Sequence, residues 1–423
     1  MKVKKIGIIG LGHVGEAVLR SLKRYRSLVS RRTSLKIEVK KVCDISKAKA
    51  RLAKKLGFSF TSNPNELIND PQIDIIVELI GGIEPANTLI VKSLKKGKNI
   101  VTANKALLAQ NGKQIFSLAK RAERRIGFEA SVCGAIPLIK SISQGLIGCE
   151  VKKLYGILNG TTNYILCKMQ KENIDFSAAL REAQARGLSE RRPALDIRGI
   201  DSLHKLCILS YLCYGVWPSL DKVYAQGISK ISLLDILYAK ELNYNIKLLA
   251  IAKSQGNSLD LRVHPTLIPM EHPLSQVSLA YNAVYLDTQP AGELLFYGQG
   301  AGGVPTSSSV ISDIVSIASG SEAVIRKEEK IPVQNMKNVK SRYYIRFMAQ
   351  DRPGVLAKIS KILSSLNISI ASVTQKERKR GKFVPIVMLT HEAKEDSINK
   401  ALAKIDKFKV IKSPSQIIRI ENL

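Results

Sequence analysis

Short apolar runs alternate with amphipathic stretches along the N-terminal part of the chain. Residues 3–9 (VKKIGII) predict a short buried strand, and helical spacing begins near residue 16 after a glycine-rich turn. The predicted strands after it are Leu35–Cys43, 74–79 and Asn99–Thr102, and the predicted helices are 16–28, 48–56 and 85–95. This alternation predicts a doubly wound parallel sheet.

The pattern changes in the middle of the chain. Residues 177–187 and 201–213 have helical spacing, whereas 246–297 is rich in strand-like runs such as IKLLAIA and NAVYLD. We therefore expect an α+β domain that is built on an open mixed sheet.

The C-terminal part predicts a third, smaller domain. Residues 326–340 are charged and poor in hydrophobic positions, which is typical of a linker. The elements predicted after them follow the order β-α-β-β-α-β of a ferredoxin-like domain. The predicted division is 1–130 with a return segment at about 303–325, 131–302, the linker 326–340, and 341–423.

Charge raises the question of a nucleic-acid partner. The net charge of the 423-residue chain is +31, and residues 1–60 carry 17 Lys/Arg against 3 Asp/Glu. The positive charge is nevertheless spread widely, and no zinc finger or aromatic-interleaved basic stripe accompanies it. We expect a basic surface that suits small anionic molecules, with no nucleic-acid partner.

Cysteine use and apolar run length indicate a cytoplasmic protein without a membrane partner. No two cysteines form a CxxC pair, and reduced thiols, mostly buried, are expected. No apolar stretch reaches the length of a membrane-spanning helix. The six cysteines are Cys43, Cys133, Cys149, Cys167, Cys207 and Cys213.

The glycine-rich turn has the spacing of a dinucleotide site in a Rossmann-type sheet. Gly10 permits the tight turn, Gly12 lets the backbone approach a pyrophosphate, and Gly15 lets helix and strand pack closely. The phosphates would lie at the helix N-terminus, beside His13 and Val14. The alternative is a glycine turn that serves packing only.

Asp44 directly follows the second predicted strand and is the candidate for binding the ribose hydroxyls. A carboxylate there favours NAD over NADP. Lys41 and Lys47 lie nearby, however, and are positioned to receive a 2′-phosphate instead. NAD(P)H is thus the expected cofactor, with NAD favoured and the choice open.

Two lysines stand out among the polar clusters that follow predicted strands. Lys105 follows a buried strand at the end of the sheet where ligands bind. Lys205 lies on a predicted helix one turn after Asp201, so that the carboxylate can hold the ammonium in place. A solvated surface role is the alternative for any single lysine.

Several segments of this sequence resemble motifs of the homoserine dehydrogenase family. EAQARGLSERRPALDIRGIDSLHK at 182–205 is similar to the family signature, and the resemblance covers about residues 1–325. VELIGGIEPA, VTANKALLA, FEASVCGAIP, LNGTTNYIL and GQGAGGVPTSSSV also match, in the family's order. DRPGVLAKISKIL and NISIASVTQ resemble the ACT ligand-binding domain.

The resemblance implies reduction of L-aspartate 4-semialdehyde to L-homoserine, in the biosynthesis of threonine, methionine and isoleucine. Lys205 would donate the proton and Lys105 would assist, because an aldehyde that gains hydride develops negative charge on oxygen. Glu190 and Asp201 would hold the substrate amino group or orient the lysines. The remaining expected substrate-binding residues are Gly160, Thr161 and Asp196, and Thr102, Ala103, Asn104, Gly302 and Gly303 would border the cofactor.

The resemblance also implies a structural monovalent cation, Na⁺, held largely by backbone carbonyls. The matching residues are Glu129, Val132, Gly134 and Ile136. Two departures from the family pattern accompany it. Arg191 and Arg192 replace a small residue and an Asp before Pro193, and Cys43 replaces the Arg that many NADP-using members have.

The resemblance to ACT domains implies regulation by an amino acid, with threonine as the expected effector. Asp351, Pro353 and Gly354 lie in the first strand–helix loop of that domain, and Asn367 begins the turn into its second strand. Such domains usually pair, and a homodimer or homotetramer is expected. A domain that only dimerises is the alternative.

Three other functions remain open at this point. The chain could be a catalytically idle amino-acid sensor, a nucleic-acid-binding protein, or a dehydrogenase for another amino-acid semialdehyde. The presence of both lysines argues against the first, and the string from Glu190 to Lys205 argues against the last.

Overall fold

The computed structural model describes residues 2–190, 193–321, 326–376 and 381–423. The strands are β1 Lys2–Ile9, β2 Leu35–Cys43, β3 Phe60–Thr61, β4 Ile75–Glu78, β5 Asn99–Thr102, β6 Ile126–Gly127, β7 Glu150–Ile157, β8 Tyr224–Ala225, β9 Tyr244–Gln255, β10 Ser258–Pro269, β11 Tyr281–Gln289, β12 Gly292–Gln299, β13 Lys340–Gln350, β14 Ile370–Thr374, β15 Phe383–Thr390, β16 Ala393–Lys394 and β17 Gln416–Ile420.

The helices follow the same chain order. They are α1 His13–Arg24, α2 Arg26–Thr33, α3 Lys47–Leu56, α4 Pro64–Ile68, α5 Ala86–Lys95, α6 Lys105–Arg121, α7 Leu138–Lys140, α8 Gly160–Glu172, α9 Phe176–Ala185, α10 Ala194–Ile197, α11 Ile200–Tyr214, α12 Leu233–Glu241, α13 Pro273–Gln276, α14 Gly303–Ser319, α15 Val355–Ser365 and α16 Glu395–Ile405.

The chain forms two compact units, and each is composed of three stretches of sequence. The first unit comprises Met1–Leu154, Asp201–Asp221 and Tyr281–Lys330. The second unit comprises Tyr155–Ile200, Lys222–Ala280 and Ile331–Leu423.

The first unit contains a parallel sheet of the Rossmann type, as the sequence predicts. Its strand order is β3-β2-β1-β4-β5-β6, and all of its strand pairs are parallel. Buried Ile, Val and Leu from β1, β4 and α1 form its core together with the apolar face of α14. The carboxyl ends of β1, β4 and β5 therefore lie side by side, which is where such sheets bind ligands.

The first helix differs from its predicted bounds. α1 begins at His13 and ends at Arg24, and the separate helix α2 follows Tyr25. The buried stripe of α1 ends at Leu22, because the next positions on that face are Tyr25 and Arg26. α2 has no fully buried residue, and its Leu28 and Val29 are only half-buried.

The second unit contains a mixed sheet that extends into the C-terminal domain. β9 and β10 form a long antiparallel hairpin, and the ferredoxin-like elements β13 to β17 follow in the predicted order. Within this unit the strands are ordered β9-β10-β17-β13-β15-β14. β17 lies parallel to β10 and antiparallel to β13, so the last strand of the chain joins the two parts of the sheet.

The cysteines are free, as expected, and all but the half-buried Cys149 are buried. Among the described residues, no helix is both long and apolar enough to cross a membrane.

Candidate active site

The glycine turn of the first unit has the geometry of a phosphate-binding loop. Gly10 has a φ of +100°, and a Cβ there would lie 2.7 Å from the Leu79 carbonyl. A Cβ on Gly15 would lie 2.0 Å from the Gly10 oxygen, whereas a Cβ on Gly12 would meet nothing within 4 Å. Two of the glycines are therefore required by packing, and the third faces open space at the N-terminus of α1, beside the exposed His13 and the half-buried Val14.

Asp44 stabilises this turn through hydrogen bonds to the backbone. Its Oδ2 accepts a hydrogen bond of 2.7 Å from the backbone N–H of Leu11, and its Oδ1 accepts one of 2.9 Å from the N–H of Ser46. Lys41 is paired with Glu66 at 2.8 Å, whereas Lys47 is exposed. Of the two lysines singled out as phosphate ligands, only Lys47 therefore lacks an ion pair among the described residues.

The return segment packs against the same turn. Gly302 has a φ of +116° and caps α14, and a Cβ on Gly303 would lie 2.8 Å from the His13 carbonyl oxygen. The structure therefore brings Gly303, and with it the preceding Gly302, against the start of α1 at the glycine turn.

The carboxyl end of β5 leads directly into the first lysine. Thr102 and Asn104 are buried, Ala103 is half-buried, and Lys105 is the first residue of α6. The Asn104 side chain caps this helix by accepting a hydrogen bond of 3.1 Å from Leu107 N–H. The position of Lys105 is thus determined by a cap that the sequence analysis did not identify.

The two lysines meet on one carboxylate. Lys105 Nζ lies 2.6 Å from Asp201 Oδ1, and Lys205 Nζ lies 2.8 Å from Asp201 Oδ2. Asp201 and Lys205 are buried, whereas 42% of the Lys105 side chain is exposed. The cluster therefore carries one excess positive charge, and its exposed edge is Lys105.

The electrostatics keep Asp201 ionised. Burial opposes its charge, but the charges of Lys205 and Lys105 and the hydrogen bonds that both lysines donate hold the pKa of Asp201 well below its usual range. Burial also lowers the pKa of His204, which precedes Lys205 on α11. A neutral imidazole beside the two lysines adds no further positive charge.

The predicted substrate-binding residues of the second unit group around α8. Asn159 caps α8 and donates a hydrogen bond of 2.7 Å to Asp196, while the Thr161 hydroxyl donates one of 2.7 Å to the Leu188 carbonyl. A Cβ on Gly160 would lie 2.6 Å from the Ala280 carbonyl oxygen, so no larger residue fits there. Glu190 is exposed, and Arg191 and Arg192 lie outside the described residues.

The segment proposed to hold a cation forms an irregular buried loop in the first unit. The Glu129 carboxylate accepts hydrogen bonds of 2.8 and 2.9 Å from the N–H groups of Ile139 and Lys140, and burial raises its pKa. Gly134 has a positive φ, and its carbonyl accepts a hydrogen bond of 2.6 Å from Ser309. The carbonyls of Val132 and Ile136 lie in the same loop, which offers neutral oxygens of the kind that suit a hard cation.

The candidate effector residues lie at the start of α15 and before β14. Gly354 has a φ of +84° and caps α15, and Asn367 also has a positive φ. Asp351 accepts a hydrogen bond of 3.4 Å from Gln375, while its Oδ2 is buried without a hydrogen-bond partner among the described residues. An orphaned buried acceptor next to a helix N-terminus fits a zwitterionic ligand.

Three family profiles match the chain. "Homoserine dehydrogenase, NAD binding domain" matches residues 10–129, "Homoserine dehydrogenase" matches 137–315, and "ACT domain" matches 343–409.

Individual relatives resemble the chain over its whole length. A homoserine dehydrogenase of Neisseria gonorrhoeae is 39% identical over 434 residues, which cover 100% of each chain. The crystal structure of a homoserine dehydrogenase from Thiobacillus denitrificans has a TM-score of 0.94 and 39% identity, and the match covers 100% of this chain and 99% of that one. A hyperthermophilic archaeal homoserine dehydrogenase, solved in complex with NADPH, has a TM-score of 0.66 and 26% identity over 77% of this chain and 100% of its own.

Proposed function

Because the chain belongs to the homoserine dehydrogenase family of NAD(P)-dependent oxidoreductases that act on a CH–OH group, we propose that Lys205 is its proton donor in the reduction of L-aspartate 4-semialdehyde to L-homoserine. The observation that carries this proposal is the pairing of Lys105 and Lys205 on Asp201. When bound, NAD(P)H would supply the hydride for the aldehyde carbon.

The lysines handle the charge that develops on the aldehyde oxygen. Lys205 donates a proton to this oxygen, and the excess positive charge of the cluster stabilises the alkoxide before the proton arrives. Asp201 holds both ammonium groups, which supports its role in orienting the lysines over a role as a ligand of the substrate amino group. Glu190 and Asp196 are then the proposed ligands of the substrate amino group. Gly160 and Thr161 are further proposed substrate contacts.

A single substitution tests the proton donor. Lys205→Ala should lower kcat at least about a hundredfold while NAD(P)H still binds, since general acid catalysis contributes that much. Lys105→Ala should also be severely impaired. The matched control is Lys120→Ala, which removes an exposed lysine of α6. A Lys205→Ala enzyme with near wild-type kcat in an NAD(P)H oxidation assay with aspartate semialdehyde contradicts the proposal.

NADH is the proposed preferred cofactor. A carboxylate at Asp44 repels a 2′-phosphate, and Lys41 is already paired with Glu66. Because an archaeal relative was solved in complex with NADPH, the assay should compare both cofactors. The ratio of kcat/KM for NADH to that for NADPH should exceed one, and Asp44→Ser should lower it. A strong wild-type preference for NADPH contradicts the proposal.

A monovalent cation is proposed on the carbonyls of Glu129, Val132, Gly134 and Ile136. The cation would stabilise the irregular loop and would take no part in the reaction itself. We expect the melting temperature to be higher in NaCl than in choline chloride at equal ionic strength. Equal melting temperatures in the two salts contradict the proposal.

Threonine is the proposed effector, bound by Asp351, Gly354 and Asn367. The orphaned Asp351 Oδ2 supports binding of an amino group, and the N-terminus of α15 supports binding of a carboxylate. Threonine should inhibit the wild-type enzyme, and Asp351→Asn should abolish inhibition without changing the uninhibited kcat. If neither activity nor melting temperature responds to threonine, the domain serves assembly only.

The proposed setting is the biosynthesis of threonine, methionine and isoleucine in the cytoplasm, as a homodimer or homotetramer. The proposed domains are 1–130 with the return segment at about 303–325, 131–302 and 341–423, with 326–340 as the linker. Sedimentation velocity would establish the assembly state.

A further inference from the structure

Glu78 is a buried carboxyl group to which the proposed mechanism assigns no role. It is the last residue of β4 and is completely buried between the ends of β1 and β5. Among the described residues it forms no ion pair with a lysine or arginine. A buried carboxylate without a cation is costly unless hydrogen bonds satisfy it, so its partners determine its role.

Both carboxyl oxygens of Glu78 accept hydrogen bonds. Oε1 accepts from the backbone N–H groups of Ile80 and Gly81, at 2.8 and 3.3 Å. Oε2 accepts from the Thr102 hydroxyl at 2.7 Å. One side chain therefore joins the loop after β4 to the end of β5.

Glu78 also sets the direction of the next hydrogen bonds. The Thr102 hydroxyl has one proton, which it gives to Glu78, and its oxygen accepts a hydrogen bond of 3.0 Å from Asn104 N–H. Asn104 Nδ2 in turn donates one of 2.6 Å to the Gly82 carbonyl. The network is a closed ring that runs from Glu78 through Thr102 and Asn104 to the loop, and back to Glu78.

This ring holds the N-terminus of α6. Asn104 is both a member of the ring and the cap of the helix that begins with Lys105. Lys105 is partly exposed and its side chain is long. The position of its ammonium group therefore depends on how firmly the backbone at the start of α6 is held. The ring thus connects a buried carboxylate to a lysine of the reaction site.

We propose that Glu78 is a positioning residue for the reduction, acting through the Thr102–Asn104 ring on Lys105. The inference rests on the proposed function, because it takes Lys105 to be part of the reaction site. Because Glu78 is completely buried, the proposal gives it no contact with substrate or cofactor.

Glutamine cannot replace Glu78 in this ring. Its amide has one acceptor oxygen and an NH₂ that only donates. If the NH₂ faces Thr102, the hydroxyl oxygen accepts from both the NH₂ and Asn104 N–H, and the hydroxyl proton loses its acceptor. If the NH₂ faces the loop, it meets two backbone N–H groups. Either orientation leaves donors unpaired and loosens the start of α6.

The test is the Glu78→Gln enzyme. We expect kcat to fall about tenfold to a hundredfold, as misplacement of a catalytic group by about 1 Å does, with less than threefold change in KM for NAD(P)H. Glu84→Gln is the matched control. Glu84 is an exposed glutamate of the same loop, outside the ring, and its substitution should leave kcat within twofold. A Glu78→Gln enzyme with wild-type kcat overturns the proposal.

A mutant cycle separates positioning from general damage to the fold. In the Lys105→Ala background, Glu78→Gln should reduce kcat less than twofold further, because the group that it positions is absent. Losses that multiply would show that Glu78 acts elsewhere, and they overturn the inference. Lys105→Ala without effect on kcat would instead refute the proposed function, and the inference with it. If Glu78→Gln does not fold, Thr102→Val breaks the same ring and enters the same cycle.

Discussion

His264 makes stability depend on pH through a single residue of the second unit. Arg262 Nη1 lies 3.3 Å from His264 Nε2, and because a guanidinium only donates, Nε2 must accept and the ring is neutral. Its proton then lies on Nδ1, 3.0 Å from the Pro265 carbonyl oxygen. Burial and the charges of Arg419 and Arg262 hold the pKa of His264 well below its ordinary value of 6.5.

The first prediction follows from the sign of this shift. As the pH falls below 6.5, His264 becomes protonated in the unfolded chain while it stays neutral in the folded chain. The contribution of His264 to stability is therefore complete above this pH and is lost as the pH falls below it. Urea unfolding should show a shallower decline for His264→Gln than for wild type or for the exposed control His391→Gln. Equal declines in all three proteins would contradict the assignment.

The glycine turn yields a second prediction at the scale of single residues. Gly15→Ala should destabilise the first unit and abolish NAD(P)H binding, because its Cβ would overlap the Gly10 oxygen. Gly12→Ala should leave the melting temperature within a few degrees, since its Cβ meets no atom, but should weaken NAD(P)H binding. Calorimetry of both variants checks this. Unchanged cofactor affinity in Gly12→Ala would show that the turn serves packing alone.

At the scale of elements, helix α12 has a buried ion pair at one end and an exposed one at the other. Asp235 is completely buried and accepts hydrogen bonds of 2.7 and 3.1 Å from Arg346 of β13. Glu241, at the other end, pairs with Lys376 near the surface. The C-terminal domain therefore contacts both ends of α12.

The third prediction compares these two pairs. Asp235→Ala should reduce the free energy of unfolding by about 3–5 kcal/mol, because it leaves the Arg346 guanidinium buried without its carboxylate. Glu241→Ala should cost at most about 1 kcal/mol, since water screens an exposed pair. Denaturant titration of the two variants measures the difference. Similar costs would mean that the Asp235 pair contributes little to stability.

At the scale of the whole molecule, the C-terminal domain is a continuation of the sheet of the second unit. Arg419 and Ile420 of β17 pair with Thr266 and Leu267 of β10. Beside this strand, Glu421 accepts a hydrogen bond of 2.6 Å from the buried Arg262, 159 residues away in sequence. The segment predicted to be a linker is itself anchored, because Pro332 and Gln334 form backbone hydrogen bonds with Leu259.

The fourth prediction concerns truncation. A chain that ends at Ser415 lacks β17, leaves Arg262 without Glu421 and opens the edge of β10. We expect a large loss of melting temperature or of soluble protein, because a buried guanidinium that keeps only Asp260, among the described residues, as its carboxylate partner and an open sheet edge both destabilise. A chain that ends at Glu421 is the control and should match wild type. If the shorter chain is equally stable, β17 is an accessory to the sheet.

Local pattern determines much of this protein. The bounds of β2 and β5 agree with the sequence prediction to the residue, and the order of the C-terminal elements agrees as well. The Asp201–Lys205 pair follows from helical spacing alone. These features are predictable because the periods of 2 and 3.6 residues show which positions of an element are buried, and glycine spacing shows where the backbone must turn.

Only the tertiary structure decides what each buried face packs against. Lys105 meets Asp201, Glu78 joins two strand ends, and β17 pairs with β10 through contacts between distant parts of the sequence. Periodicity carries no information on such partners, because they depend on how the whole chain packs. The sequence by itself therefore determined the elements, the glycine turn and the candidate lysines, whereas the ring around Glu78 and the attachment of the C-terminal domain were decided by packing.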